Sequence, residues 1–454
     1  MVRFDDSLQV LVRKVAELLG RDLLSTGTVL RDATGRLSFF CSAELDETMH
    51  SNLTEALRIE LGPYAGKDRV VVSSSEYGAS RVLQDNKAIK IKVGDFLIRL
   101  IDRRIVGADW LRAPVRLAPP PPRFVFSSIK GGVGRSTALA VAASALSRQG
   151  LRVLAIDLDI EAPGLGPILL NNDTLPEFGL IDALVENGIS SLDRQFLADL
   201  IGPSDLSNGR GRIDVIPVLG KRSLNNPGDV LSKIARAYME DIREDGSVAT
   251  ILDQISELID YFSDSRQYDA ILVDARAGLH ETTASAILGM GAEVLLFGLD
   301  EPQTFQGFKI LLSHMARFGD EGAVPEWLSR FTIVQGKAPS ELESRQRFAD
   351  QCRSLFADLG LVEKPDICNP ESFSQEIGFG DIEWNDEASD EDILPKEDYQ
   401  YLEPLAILDD PKFKGFNPQA HTDLLESGVY VAAYEQLLAK IRATIPDSLE
   451  GINP

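Results

Sequence analysis

Cysteine is scarce: the 454-residue chain has three, Cys41, Cys352 and Cys368, none of them closely spaced. That leaves no paired-cysteine pattern for a zinc or iron–sulfur site and argues for a reducing compartment. Long apolar runs are missing as well. No stretch of about 18 apolar residues occurs, so no membrane-spanning helix is expected. The opening Met-Val-Arg-Phe-Asp-Asp has no apolar stretch of signal-peptide length, and the chain is read as cytoplasmic. Basic residues are the minority: 46 Lys and Arg against 70 Asp and Glu give a net charge of -24. A field of that sign does not draw the chain to nucleic acid or to an anionic membrane, although Lys221-Arg222 and Arg103-Arg104 form local basic pairs. What remains is a globular protein whose length suggests about two to three domains.

Residues 1–112 read as a small α+β domain that serves a partner or regulation. Asp5, Asp6 and Ser7 can cap a helix whose Leu8, Leu11, Val12, Val15, Leu18 and Leu19 recur at helical steps, with Gly20 as its stop. Strand-like Leu37 to Cys41, a helix carrying Met49, Leu53 and Leu57, strand-like Val70 to Ser73, and a strand pair turned at Gly94-Asp95 follow. The charged run Asp102 to Asp109 beside Trp110 is either a docking surface or, more often for such a run, a solvated turn with a packed tryptophan. Pro114 and Pro119 to Pro122 then form a stiff connector, residues 113–122, which sets a boundary before a second domain at 123–454.

That second domain alternates strands and helices. Phe124-Val125-Phe126, Arg152 to Ile156, Ala270 to Val273 and Val294 to Phe297 are almost wholly apolar, as buried parallel strands should be, and Ile213 to Val218 and Phe331 to Val334 read as further strands. The pattern predicts an α/β fold with a doubly wound, mostly parallel sheet. The last helix, about Ser427 to Thr444, places Val431, Tyr434, Leu437, Leu438 and Ile441 on one face for core packing. An acidic excursion, residues 376–398 with a single lysine, reads as solvated sequence.

The chemistry concentrates after the first of these strands, where the chain reads Ser-Ser-Ile-Lys-Gly-Gly-Val-Gly-Arg-Ser-Thr from Ser127 to Thr137. Three glycines within four positions let backbone amides approach an anion closely, and the helix that follows turns its positive end to the same place. The standard phosphate-loop pattern would have glycine at Ile129 and lysine at Arg135, so a strict search misses this loop. Three acids arrive at neighbouring strand ends: Asp157 and Asp159 after one strand, Asp274 after another. Asp274 is where a magnesium-associated carboxylate is expected. Gln335 follows a further strand, where its amide can contact a base or simply belong to a loop.

Lys130 to Thr137, Asp157 to Asp159 and Asp274 to Gly278 together resemble the ParA/MinD branch of P-loop ATPases, whose deviant loop reads Lys-Gly-Gly-x-Gly-Lys-[Ser/Thr]. The resemblance covers 123 to about 340. It implies ATP with Mg²⁺ and a homodimer with nucleotide at the interface, Lys130 reaching phosphates held by the partner subunit. Gly131, Gly132, Val133, Gly134, Arg135, Ser136 and Thr137 are the implied nucleotide contacts, with Gln335 as a base contact. Ser136, Asp157 and Asp274 are implied around the metal, and Asp159 would orient the attacking water. Arg135 departs from the pattern: it keeps the charge and can fork onto phosphate oxygens, but its bulk and hydration differ from lysine's, which implies slow or partner-dependent hydrolysis. The spelling Lys-Gly-Gly-Val-Gly-Arg with Asp-Leu-Asp-Ile-Glu-Ala-Pro-Gly-Leu resembles a subgroup of regulatory ATPases in bacterial gene clusters, some tied to phage defence. The expectation is a dimerising ATPase switch acting on a partner protein through the N-terminal domain or the acidic excursion. A non-hydrolysing nucleotide-gated scaffold and a DNA-positioning ATPase are the alternatives.

Overall fold

A computed structural model describes residues 2–190, 192–207, 210–242, 248–264, 267–318, 324–362 and 403–446. The acidic excursion 376–398 and Cys368 lie outside the described residues.

The first sheet is mixed, in the order β3-β2-β1-β5-β4. Its strands are β1 (Thr28–Arg31), β2 (Leu37–Phe40), β3 (Val71–Val72), β4 (Ile89–Val93) and β5 (Phe96–Asp102). β4 and β5 form the expected antiparallel hairpin, while β1, which has too short an alternation to stand out in sequence, pairs parallel with β5. Helices Phe4–Leu19 and Glu47–Leu61 bury Leu11, Val12, Val15, Leu53, Leu57 and Leu61 with Phe39 and Val29 in one core. Two details differ from the sequence reading. The first helix begins at Phe4, with Arg3 in the capping position and Asp5 and Asp6 inside the first turn, so these acids act on the helix dipole rather than as caps. Met49 lies on the outer face of its helix, 42% exposed.

The second sheet has eight strands in the order β15-β14-β13-β6-β12-β7-β9-β8. These are β6 (Arg123–Ser128), β7 (Arg152–Asp157), β8 (Gly202–Pro203), β9 (Arg212–Ile216), β12 (Ala270–Ala277), β13 (Glu293–Gly298), β14 (Phe331–Ala338) and β15 (Leu405–Leu408). A two-stranded ribbon, β10 (Asp241–Ile242) with β11 (Val248–Ala249), stands apart from it. All pairs in the large sheet are parallel except β8 with β9 at one edge. Side chains alternate along each strand, so the two faces of the sheet feed two cores. Phe124, Phe126, Ala155 and Leu272 pack beneath helices Arg135–Arg148 and Ser427–Thr444; Val125, Leu154, Ile156, Ile271 and Val273 face helices Ile251–Asp264 and Pro302–Met315. Helix Arg135–Arg148 buries Ala138, Ala140, Ala142, Ala143 and Ala145, small residues that let it lie close on the sheet. Helix Ser427–Thr444 has the bounds that its pattern indicates and buries Tyr430, Ala433, Tyr434, Leu437 and Ile441, but Val431 is 42% exposed.

The connector is not a free spacer. The Val115 amide donates to the Leu288 carbonyl at 2.8 Å and the Ala118 amide to Gly291 at 2.8 Å. The Trp110 ring is buried against His314, Asp109 accepts the Leu252 amide at 3.0 Å, and Arg112 grips Asp253 through two nitrogens. The packed-tryptophan reading therefore holds for Trp110, while Ile105 and Val106 beside it are 88% and 76% exposed. Arg330, 4% exposed, donates to Ala292 O at 2.9 Å and Val115 O at 2.8 Å, and pairs with Glu326. Arg330→Ala leaves those two carbonyls without a donor and should lower stability by about 2 kcal/mol. Urea denaturation checks this; a midpoint equal to that of the unsubstituted chain contradicts it.

Candidate functional site

β6 runs directly into the glycine loop at the carboxyl end of the sheet; from β6 the chain continues to β7 on one side, and from its neighbour β12 to β13 on the other, the arrangement that opens a crevice for ligands in such sheets. Gly132 and Gly134 have φ of 77° and 93°, a backbone region open chiefly to glycine, and Gly134 starts helix Arg135–Arg148. A Cβ placed on Gly131, Gly132 or Gly134 meets nothing within 4 Å, so the loop borders open space that side chains would fill. A cup of about 180 Å³ sits there, lined by Ser128 and Gly132 to Thr137. This is the fit expected of a backbone cradle for an anionic group.

The acids stand where the parallel register puts them. Asp157 and Asp274 are direct neighbours across β7 and β12, and Asp274 neighbours Phe126 across β12 and β6. Asp157 is fully buried, and its two oxygens accept the amides of Asp159 at 3.0 Å, Gly164 at 3.1 Å and Leu165 at 2.9 Å. Its carboxylate thereby shapes the turn after β7. Asp274, 1% exposed, accepts from Ser136 Oγ at 2.5 Å and from Arg135 Nε at 3.0 Å. Burial raises the pKa of Asp157, Asp159 and Asp274 above the ordinary carboxylate value; for Asp157 the nearby Asp274 adds to it, whereas for Asp159 and Asp274 the Arg135 guanidinium opposes it.

Arg135 does not end on open space. Besides Asp274, its other nitrogens donate to Ser128 Oγ at 3.0 Å and Asp159 Oδ2 at 3.2 Å. Lys130 is turned to its own chain, its ammonium 2.7 Å from Glu301, with both side chains 40% exposed. A pair so exposed is worth roughly 0 to 1 kcal/mol and releases easily. Thus Lys130, the glycines, Arg135, Ser136, Thr137, Asp157, Asp159 and Asp274 come together around one loop.

Gln335 is placed differently. β14 continues past Val334 to Ala338, so Gln335 lies inside a strand, 2% exposed, between Gly298 on β13 and Ala406 on β15. A cavity of about 630 Å³ opens beyond the loop between Gly132–Gly134, Thr137, Lys337, Ile407, Phe413, Phe416 and Tyr434, and Gln335 is not among its lining residues. The sequence reading missed this wall because β15 is four residues long, Phe413 ends a single 3-10 turn, Pro411–Phe413, and Phe416 lies in the loop after it.

Further residues support the site without a motif to announce them. Gly336 lies so close to the loop that a Cβ there would stand 2.2 Å from the Val133 carbonyl oxygen. Glu161, in the turn after β7, pairs with Arg276 and accepts from Tyr238 Oη at 2.7 Å, with the His280 ring against Tyr238. That cluster ties the turns after β7 and β12 to the segment between β9 and β12. Glu161 and Arg276 sit within the two motifs, but nothing in their spacing revealed the pairing.

Among the described residues, no group of three or more His, Cys, Asp or Glu is placed to hold a metal ion, and no helix is long and apolar enough to cross a membrane. Ser136 and Asp274 nevertheless offer hard oxygen donors beside the cradle, the type of ligand that suits magnesium, which usually takes one or two carboxylates and completes its shell from phosphate and water.

A phosphate-shaped loop at the switch point of a doubly wound parallel sheet, with paired acids beside it, defines a nucleotide-binding α/β domain. Residues 124–315 match the family model of the CobQ/CobB/MinD/ParA nucleotide binding domain. Similar solved structures include the MinD cell division protein of Aquifex aeolicus, with 17% identity, 73% of this chain and 100% of that one covered, and a TM-score of 0.40. The septum site-determining protein MinD of Pyrococcus horikoshii OT3, complexed with Mg-ADP, is 16% identical over 72% of this chain and 100% of its own, with a TM-score of 0.38. Cobyrinic acid a,c-diamide synthase of Mycobacterium smegmatis, with a bound ATP analogue and magnesium, is 18% identical over 52% of this chain and 82% of its own, with a TM-score of 0.36. No curated protein matches the chain.

Proposed function

We propose that the protein is an ATP-dependent dimerising switch that hydrolyses its nucleotide slowly and acts on a partner protein. The observation that carries this reading is the joining of the open glycine cradle to Ser136, Asp159 and Asp274 on adjacent strand ends. In it, the loop amides and the positive end of helix Arg135–Arg148 hold the phosphates, and the cavity beyond the loop takes the base between Lys337 and Phe413, Phe416 and Tyr434. Gln335 fixes the strand beneath rather than touching the base. Ser136, with Asp274 behind it, would hold Mg²⁺, which supplies neutralisation of phosphate charge. Asp157 keeps the turn that carries Asp159 in place through its three amide bonds. Asp159 orients and takes up the proton of the attacking water. Lys130, released from Glu301, would reach the nucleotide of a second copy. The N-terminal sheet and the acidic segment are the candidate partner-binding parts, and a role in a bacterial gene cluster such as phage defence rests on motif resemblance.

A nucleotide-gated scaffold that never hydrolyses is the second reading, and one observation favours it: Arg135 occupies Asp159. Phosphate release from ATP by the purified chain separates the two. Release above background, abolished by Asp159→Ala, supports the enzyme. None, alone or with candidate partners, leaves the scaffold.

A further inference from the structure

Arg135 is 8% exposed, and each of its three nitrogens ends on a different segment of the chain: Nε on Asp274 in β12, one terminal nitrogen on Ser128 at the end of β6, the other on Asp159 in the turn after β7. The setting demands a cation. Asp157 and Asp274 are almost wholly buried side by side, Asp159 is close by, and an ionised carboxylate out of water without a counter-charge is costly. Asp157 is compensated by backbone amides, but Asp274 has Ser136 as its other donor, and Asp159, at the edge of the cluster, has Arg276 as a further cation nearby. A guanidinium meets this need in a way an ammonium does not. Its donors are spread over a rigid plane, so one side chain can reach three oxygens that lie in different directions, whereas lysine presents its charge at a single point.

We propose that Arg135 is the resident counter-ion of the acid cluster, standing in for a divalent cation at Asp274 and Asp159 until nucleotide and metal arrive together. The metal half stands on the ion pairs alone. The link to nucleotide rests on the function proposed above.

Three consequences follow from the contacts. Arg135 holds one oxygen of Asp159 and draws on its charge, so the resting carboxylate is a poorer acceptor for the water it would orient. Mg²⁺ alone gains little, because its place is filled. A nucleotide with Mg²⁺ supplies both things the exchange needs: phosphate oxygens to receive the guanidinium and a cation to replace it. Arg135 is therefore a positioning residue whose departure frees Asp159, and this gives the arginine at the lysine position a role other than weaker phosphate binding.

Thermal melting without nucleotide, in chelator and in millimolar MgCl₂, tests this. The unsubstituted chain should melt at the same temperature in both. Arg135→Ala should melt about 5 °C lower in chelator and regain most of the loss in MgCl₂, because the vacated place is then open to the metal; an arginine needed only for packing would show no such rescue. Melting of Arg135→Ala at the unsubstituted temperature, or an equal MgCl₂ shift in both proteins, overturns the proposal. Should Arg135→Ala not fold, Arg135→Lys keeps the charge without the fork and should bind a fluorescent ATP analogue in chelator about tenfold more tightly than the unsubstituted chain, since fewer ion pairs must break. Equal affinity overturns it. If none of the proteins binds the analogue while the MgCl₂ rescue stands, the nucleotide reading fails and the counter-ion remains; if all bind it and the rescue is missing, the counter-ion fails and the nucleotide reading remains.

Discussion

Asp159→Ala should lower phosphate release by about 10²- to 10⁴-fold, the usual worth of a positioned proton acceptor, while nucleotide affinity stays within a few fold. Asp159 sits at the open edge of the acid cluster, on a turn pinned by the amide bonds to Asp157, and its carboxylate is the one member of the cluster not committed to the strands. Removing it deletes the group that orients water but leaves the cradle, Ser136 and Asp274 intact. It also takes one ion pair from Arg135, so any change in affinity should be toward tighter binding. Single-turnover measurement with saturating ATP and Mg²⁺ separates these effects from weak binding. A rate unchanged from the parent chain would move catalysis to another residue, and a parallel collapse of binding would mean that Asp159 holds the loop rather than the water.

Gly336→Ala has the second large expected effect. A Cβ at this position would lie 2.2 Å from the Val133 carbonyl oxygen, and both partners are backbone, so no side chain can swing aside. Relief requires either β14 to shift against β13 and β15 or the loop to lift from Val133 to Gly134. Moving the sheet disturbs a buried ladder, so the loop should give way, and the amides that form the cradle lose their alignment. Nucleotide affinity should fall by at least about tenfold, with stability lowered by about 1 to 3 kcal/mol as in other overpacked interiors. Isothermal titration with ATP and Mg²⁺, beside urea denaturation, reads both. Wild-type affinity would show that the loop is free of β14 and that its shape is set elsewhere.

The two cases mark what the sequence discloses and what it does not. Asp159 was legible because it lies in a short motif at the end of a continuously apolar strand, and the same logic found the cradle, Asp157, Asp274 and the central strands. Gly336 was not legible. Its importance comes from the approach of two strand ends that are far apart in sequence, and a lone glycine after Gln335 carries no sign of that. Gln335 itself was misplaced because β14 runs four residues beyond the apolar core, into a polar stretch that reads as loop. The wall formed by Phe413, Phe416 and Tyr434 depends on the short edge strand β15, which packs the final helix over the site. The behaviour of Arg135 was hidden for a different reason. Its charge predicted a phosphate ligand, but which oxygens a long cation chooses depends on the carboxylates that folding brings within reach, and here three segments converge on it.

Those ion pairs also bear on how the switch is set. In the chain alone, Lys130 is held by Glu301 and Arg135 by the acids, so both cations of the loop are turned to protein oxygens. The weaker, half-exposed Lys130 pair can open first. A second copy presenting nucleotide phosphates would then compete with Glu301 for Lys130, which couples occupancy of the site to association.

That coupling is the centre of the account, and solution mass tests it most directly. Light scattering on the full chain, with Asp159→Ala included to prevent turnover, should give one copy in chelator and two copies with ATP and Mg²⁺, and Lys130→Ala should remain single under both conditions. A mass that does not change with nucleotide, in a protein shown by titration to bind it, would contradict the switch.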